Sequence, residues 1–112
     1  MKMVCFKILL SLFTFSFVWG IEVKNDIYDT TFFYERFITQ PNYENALNLA
    51  KYFYQIKSYE NAIYWAIEAN EFDLKQKEAW LIFINAKIKQ GKYEQALKAK
   101  DEYEKLLENY FE

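Results

Sequence analysis

The chain has 112 residues, of which 53% are hydrophobic, 21% aromatic and 27% charged. This length allows one domain, and the apolar content is too high for an intrinsically disordered chain. Two Gly and one Pro leave little material for turns, which disfavours a many-stranded β fold and favours long helices. The formal net charge of −2 gives no electrostatic reason to expect a nucleic-acid partner.

The first segment, Met1–Gly20, has the pattern of a secretory signal peptide. Two lysines give it a positive start, the largely apolar run Ile8–Trp19 follows, and the small residue Gly20 precedes the expected cleavage site. Cleavage there leaves residues 21–112, which contain no Cys. This exported domain must therefore be held together by its core without disulfide bonds.

The alternative for this segment is an uncleaved membrane anchor. The stretch from Ile8 to Ile21 would form about 21 Å of helix against a hydrocarbon core of about 30 Å, which favours the signal peptide. Arg36 is the only Arg, a bias that together with abundant Asn, Ile and Phe suggests an AT-rich bacterial genome. We therefore expect a periplasmic protein or, if the segment is retained, an inner-membrane anchored protein that faces the periplasm.

A repeat with a period of 34 residues follows. The segment Tyr59–Ile63 recurs as Tyr93–Leu97, and Leu47 pairs with Leu81 at the same offset. A period of 34 is the tetratricopeptide repeat (TPR) length, and the chain resembles that family. The motif positions are matched in the first copy by Leu49, Ala50, Phe53, Tyr59, Ala62, Ala66 and Ala69, and in the second by Trp80, Phe83, Gly91, Tyr93 and Ala96. The second copy departs from the motif at Ile84, Lys87, Lys100 and Tyr103.

The resemblance implies an all-α fold of tandem antiparallel helix hairpins, a TPR-like α-solenoid. The helical domain covers residues 21–112, with two full repeats at about residues 43–76 and 77–111. Upstream, the stretch Asn25–Gln40 stands in the place of the second helix of a preceding repeat. We interpret it as a half-repeat that covers the N-terminal face of the first hairpin. Its apolar residues are Ile27, Tyr28, Phe32, Phe33, Phe37 and Ile38.

Local signals place the helix ends within the repeats. Ser58 is suited to cap the helix that begins at Tyr59, and Asp73 followed by Gln76 predicts a capping box for the next helix. Gly91 can adopt the left-handed conformation that a tight turn between two helices needs.

The side chains that carry most enzyme chemistry are absent. The chain has no His, and residues 21–112 have no Cys and a single Ser, Ser58. Triads of the Ser/His or Cys/His type and zinc or copper sites therefore cannot be assembled. Carboxylate pairs such as Glu102 and Glu104 are more typical of a solvated helix face than of acid–base catalysis. We expect a protein that is not an enzyme and binds no cofactor or metal.

The resemblance implies an interaction scaffold, because first helices of successive TPR repeats line a groove for a peptide or a partner's helix. We expect an adaptor of the bacterial cell envelope. The alternative is a structural subunit built permanently into an envelope machine such as a secretion, pilus or DNA-uptake apparatus. The groove positions are Glu44, Leu47, Lys51, Tyr54 and Gln55 in the first repeat, and Glu78, Leu81, Asn85, Ile88 and Lys89 in the second. The alternative for each of these positions is an ordinary solvated helix face.

A second interface is expected at the C-terminal end, where the sequence provides no further helix to cover the last one. Exposed apolar side chains there would mark docking on a larger protein or self-association. The residues concerned are Leu106, Leu107, Tyr110 and Phe111. In the alternative interpretation they pack against Ile88 and Leu97. The partner is expected to be another protein or a second copy, not a nucleic acid, and membrane contact requires retention of Met1–Gly20.

Overall fold

The computed structural model describes residues 30–111, with side chains described for residues 30–109. The signal peptide, its cleavage site and two members of the expected half-repeat, Ile27 and Tyr28, lie outside the described residues. The described part is all-α and consists of five helices. These are α1 at residues 30–39, α2 at Tyr43–Gln55, α3 at Tyr59–Phe72, α4 at Lys77–Lys89 and α5 at Tyr93–Phe111.

From α2 onwards each helix packs against the next one along the chain, and α2 also contacts α4. The predicted fold class of tandem helix hairpins is confirmed. By its contacts the chain divides between Phe32 and Phe33, and the second unit, Phe33–Glu112, contains the two hairpins and most of α1.

The aromatic side chains of α1 cover the first hairpin. The Phe33 ring lies 5.6 Å from that of Tyr52, while the Tyr34 and Phe37 rings lie 5.6 and 5.0 Å from that of Trp65. Most of these pairs are tilted or edge-to-face, the arrangement that aromatic quadrupoles favour. The expected half-repeat is therefore present, and it is joined to both helices of the hairpin.

A buried amide closes the end of α1. The Asn45 side-chain nitrogen donates to the carbonyl oxygens of Gln40 at 2.8 Å and Arg36 at 3.3 Å. The Arg36 carbonyl also accepts the backbone N–H of Gln40 at 3.0 Å, so the amide adds a second bond there and supplies a donor to the Gln40 carbonyl at the end of α1. The backbone N–H of Asn45 in turn donates to the side-chain oxygen of Asn42 at 2.8 Å, which caps the start of α2.

The two hairpin turns have the same backbone geometry, 34 residues apart. Lys57 and Gly91 are left-handed, with φ of 65° and 79°. In the first turn the N–H of Lys57 donates to the carbonyl of Tyr54 at 3.0 Å, and that of Ser58 donates to the carbonyl of Phe53 at 2.8 Å. The same pair of bonds recurs in the second turn, so both turns are Schellman motifs. The left-handed conformation expected at Gly91 is confirmed.

The capping box expected at the start of α4 is absent, and that prediction is wrong. The Gln76 side chain makes no cap bond, and an Asp73 oxygen accepts the backbone N–H of Lys75 at 3.1 Å instead. The N–H of Ala79, in the first turn of α4, donates to the hydroxyl of Tyr43 at 3.2 Å. The acceptor for this N–H thus comes from Tyr43, 36 residues away, and not from the neighbouring residues that the sequence suggested.

Ser58 stands at the predicted N-cap of α3, but its hydroxyl makes no cap bond. The oxygen accepts the side-chain N–H of Asn61 at 2.9 Å. The position of the N-cap was predicted correctly, but the hydrogen-bond partner of the Ser58 hydroxyl was not.

Small side chains line the contacts between helices. Leu49 is the largest fully buried side chain, and the remaining fully covered positions are alanines, which allow close approach of the helix backbones. These alanines are Ala46, Ala50, Ala62, Ala66, Ala69, Ala79 and Ala86.

Candidate functional site

The first helices of the two hairpins, α2 and α4, are neighbours and run in the same direction, because one antiparallel helix separates them. The bond between Tyr43 and Ala79 joins their N-terminal ends. We call their exposed surface the α2–α4 face. It consists of Glu44, Lys51, Tyr54, Gln55, Glu78, Leu81, Asn85, Ile88 and Lys89.

On α2 the face is mainly polar. Glu44, Lys51 and Gln55 are exposed, and Tyr54 is half-buried with its ring 5.4 Å from that of Tyr59. This contact fixes the Tyr54 ring against the start of α3 and leaves part of it available to solvent. Three of the five positions predicted on α2 are therefore fully accessible.

Leu47 does not lie on this face, which corrects its assignment to the groove. Its side chain is only 3% exposed and belongs to the hydrophobic core. It shares a helix stripe with Tyr43 and Ala50, which are also buried, because α2 packs against α3 and α4 on adjoining sides. A partner could reach Leu47 only after this core opened.

On α4 the face is apolar at its centre. Leu81 and Ile88 are 43% and 42% exposed, and they lie two turns apart on one stripe with the exposed Asn85 between them. Glu78 in the first turn and Lys89 in the last turn are also exposed. All five positions predicted on α4 are thus at the surface.

Charge is distributed unevenly along the α2–α4 face. Glu44 and Glu78 lie in the first turns of the two parallel helices, whereas Lys51 and Lys89 lie nearer their C-terminal ends. One end of the face is therefore acidic and the other basic.

The hydroxyl that links the two helices lies in a perturbed environment. Burial raises the pKa of Tyr43 above the usual phenol value, and the hydrogen bond from Ala79 partly offsets this by lowering the pKa. The carboxylates of Glu78, Asp73 and Glu44 raise the pKa further. The neutral, hydrogen-bonded phenol is therefore the favoured form in the folded chain.

Lys87, a departure from the repeat motif, joins α4 to α5. Its ammonium lies 5.4 Å from the centre of the Phe83 ring and donates to the side-chain oxygen of Gln95 at 2.6 Å. Burial lowers the pKa of Lys87, and neighbouring Lys92 lowers it further. The lysine stem and charge thus make an interhelix contact at the aromatic position of the motif.

The interface expected at the C-terminal end of α5 stays a prediction, because only part of it is described. Leu106 and Leu107 are half-buried, and the side chains of Tyr110 and Phe111 lie outside the described residues. Among the side chains of α5 that the structure describes, the most exposed apolar one is Leu97, at 63%, with Tyr93 one turn before it at 62%. The equivalent of Leu97 in the first repeat, Ile63, is only 9% exposed because α4 packs on α3.

A cleft of about 850 Å³ lies on the other side of α4, between α3 and α5. We call it the α3–α5 cleft. This volume is within the range of small-molecule and peptide sites. Its lining residues are Ile67, Asn70, Glu71, Phe72, Asp73, Leu74, Trp80, Phe83, Ala99 and Glu102. Sequence analysis did not find this cleft, although the 34-residue offset contains a signal for it.

No group of His, Cys, Asp and Glu side chains in the described part of the chain is placed to hold a metal ion. Among the helices of residues 30–111, none has the length and apolarity to cross a bilayer.

Residues 24–103 match the sequence profile of a protein family described as Anaphase-promoting complex, cyclosome, subunit 3, a TPR-like repeat family. The match begins before α1 and ends within α5, so it covers the half-repeat, the first hairpin and the second hairpin as far as residue 103. No curated protein and no solved structure matches the chain.

Proposed function

The chain belongs to the TPR-like repeat family of anaphase-promoting complex subunit 3, and from this premise we propose that it is an adaptor of the bacterial cell envelope. Repeats of this family generally mediate contacts between proteins and are generally not catalytic. The adaptor binds a peptide or helix of a partner protein on the α2–α4 face.

The observation that carries this proposal is the exposed apolar pair on α4. Leu81 and Ile88 present two anchor positions one above the other, and Asn85 between them offers hydrogen-bonding groups. Apolar side chains at this spacing suit a partner helix that carries its own anchors two turns apart. The acidic and basic ends of the face would give such a partner a preferred direction.

Export is supported by the charge and hydropathy pattern of Met1–Gly20. An exported chain recovered from fractionated cells should be found in the periplasm and begin at Ile21. Recovery from the membrane with Met1 still present would replace the periplasmic proposal by the anchored one.

The binding proposal is tested by capture from a native envelope extract with the tagged chain as bait. A Leu81→Glu/Ile88→Glu variant should lose the partner because two charges replace both apolar anchors. A Tyr93→Glu/Leu97→Glu variant is the matched control, since it places the same two charges at exposed apolar residues of α5. A photo-crosslinking residue at Asn85 should join the partner covalently and locate the contact.

The alternative, a permanently assembled subunit, is favoured by the uncovered side chains of Tyr93 and Leu97. The family description also names a subunit of a larger complex. If this alternative holds, the control variant loses the partner and the Leu81→Glu/Ile88→Glu variant keeps it. Retention by both variants would contradict both proposals.

A further inference from the structure

The two repeats differ at a position that lines the α3–α5 cleft. Trp65 of α3 and Ala99 of α5 are 34 residues apart and therefore equivalent. In the first repeat the Trp65 side chain, 8% exposed, fills the space between α1 and α3 against the rings of Tyr34 and Phe37. In the second repeat Ala99 leaves the corresponding space between α3 and α5 open.

The floor of the cleft is aromatic and firmly held. The Trp80 indole N–H donates to the carbonyl of Leu74 at 2.9 Å, and the Trp80 ring lies 5.5 Å from that of Tyr103 on α5. Phe83 lies one turn further along the same helix. These two contacts fix the indole before any ligand arrives, which reduces the ordering cost of binding.

The edges of the cleft are apolar on one side and acidic at several points. Ile67, Phe72 and Leu74 are each between 43% and 49% exposed, so they form a contiguous apolar border. Glu71 of α3 and Glu102 of α5 stand on opposite walls. Neither carboxylate forms an ion pair or a hydrogen bond with another described residue.

The side-chain oxygen atoms that line the cleft require a hydrogen-bond donor from an occupant. The side-chain oxygen of Asn70 is buried and has no hydrogen-bond partner among the described residues. Asp73 adds a third carboxylate, and no basic side chain lines the cleft. An occupant that brings N–H donors and positive charge satisfies these oxygens, whereas an anion is repelled.

We propose that the α3–α5 cleft binds an arginine of a partner protein together with the apolar side chain next to it. The guanidinium stacks on the Trp80 indole and donates to Glu71 and Glu102, while the apolar neighbour packs on Ile67 and Phe72. Arginine fits better than lysine because its planar group both stacks on aromatic rings and donates to two acceptors. This site is separate from the α2–α4 face, on the opposite side of α4.

The test is selection of a blocked hexapeptide library by the full-length chain. The third position of each peptide is arginine, lysine, citrulline or glutamate, and the flanking positions are varied among apolar residues. Arginine peptides should be enriched about tenfold over the citrulline peptides of the same shape, because citrulline lacks the charge. Equal enrichment of citrulline or glutamate peptides would overturn the proposal.

Two variants locate the binding site. Ala99→Trp places in the second repeat the side chain that fills the first, and it should abolish selection of arginine peptides while the helical circular dichroism remains. Glu71→Gln/Glu102→Gln removes both charges without adding volume, and it should weaken binding of the selected peptide about tenfold. Glu94→Gln/Glu108→Gln is the control, since it removes the same charge from exposed positions of α5 outside the cleft.

These variants also separate this proposal from that for the α2–α4 face. A peptide that still binds Ala99→Trp and Glu71→Gln/Glu102→Gln but not Leu81→Glu/Ile88→Glu occupies the other face and overturns the cleft assignment. If Ala99→Trp fails to fold, the double Gln variant decides alone. Partner capture through Leu81 and Ile88 can fail while arginine peptides still bind in the cleft, because the two surfaces share no residue.

Discussion

The two hairpin turns differ in the residue that takes the left-handed conformation. Both have the same pair of backbone bonds and a left-handed residue, but this residue is Lys57 in the first turn and Gly91 in the second. The left-handed conformation is unfavourable for a residue with a Cβ and almost free for glycine. The first turn therefore stores strain that the second avoids.

Lys57→Gly should raise the free energy of unfolding by about 1 kcal/mol, and Gly91→Ala should lower it by about the same amount. A Cβ at Gly91 would meet no atom within 4 Å, so the loss comes from the backbone alone. Urea denaturation followed by circular dichroism measures both changes. Lys57→Ala is the control and should be nearly neutral, and a gain as large as that of Lys57→Gly would contradict the explanation by strain.

At the scale of helices, the contact between α2 and α4 depends on a buried phenol. Tyr43→Phe removes the acceptor of the Ala79 N–H and should lower the free energy of unfolding by about 1–2 kcal/mol at neutral pH. Because the pKa of Tyr43 is raised in the folded chain, its stabilising effect is complete below the usual phenol pKa of 10.0 and is lost as pH rises through the higher folded pKa.

The stability difference between the wild type and Tyr43→Phe should therefore shrink as the pH rises from neutral to about 11. Urea denaturation across this pH range measures it. Tyr93→Phe removes an exposed phenol and serves as the control, with no comparable loss at neutral pH. A difference between wild type and Tyr43→Phe that stays constant with pH would contradict the raised pKa, and no loss at neutral pH would contradict a contribution of the bond to Ala79.

The helices could be predicted from the sequence, but the hydrogen bonds and packing contacts between them were predicted less well. Repeat spacing and Gly91 located the hairpins, since these signals act over a few residues or at a fixed period. The acceptor on Tyr43 was missed because it lies 36 residues from its donor, while the sequence offered the nearer Asp73 and Gln76. Periodicity likewise assigned Leu47 to the surface, and only the packing of α2 against two neighbours shows that it is buried.

At the scale of the whole molecule, α5 forms one end of the described helical array. It carries charge where α3 is apolar: Lys100 takes the place of Ala66 and pairs with Glu104 at 2.7 Å. Both side chains are more than half exposed, so this pair gives solubility more than stability. Leu97 is the main apolar exception on this surface.

If the chain is an adaptor, the purified protein should sediment as a monomer at micromolar concentration. The Leu97→Lys substitution should then change the free energy of unfolding by less than about 0.5 kcal/mol. Analytical ultracentrifugation measures the first and urea denaturation the second. A species that grows with concentration in the wild type and disappears in Leu97→Lys would favour the structural subunit. Lys98→Leu, which adds an apolar residue beside Leu97, is the converse control.

The position of the cleft has a consequence for the integrity of the array. In the described part of the chain α5 packs against α4 alone, whereas α3 packs against both α2 and α4. In linear arrays a terminal element with one neighbour is the first to detach. A ligand held between α3 and α5 would lend α5 a second neighbour, so occupancy of the cleft would raise the opening free energy of this end. The partner would then hold the end of the described array closed by joining α5 to α3.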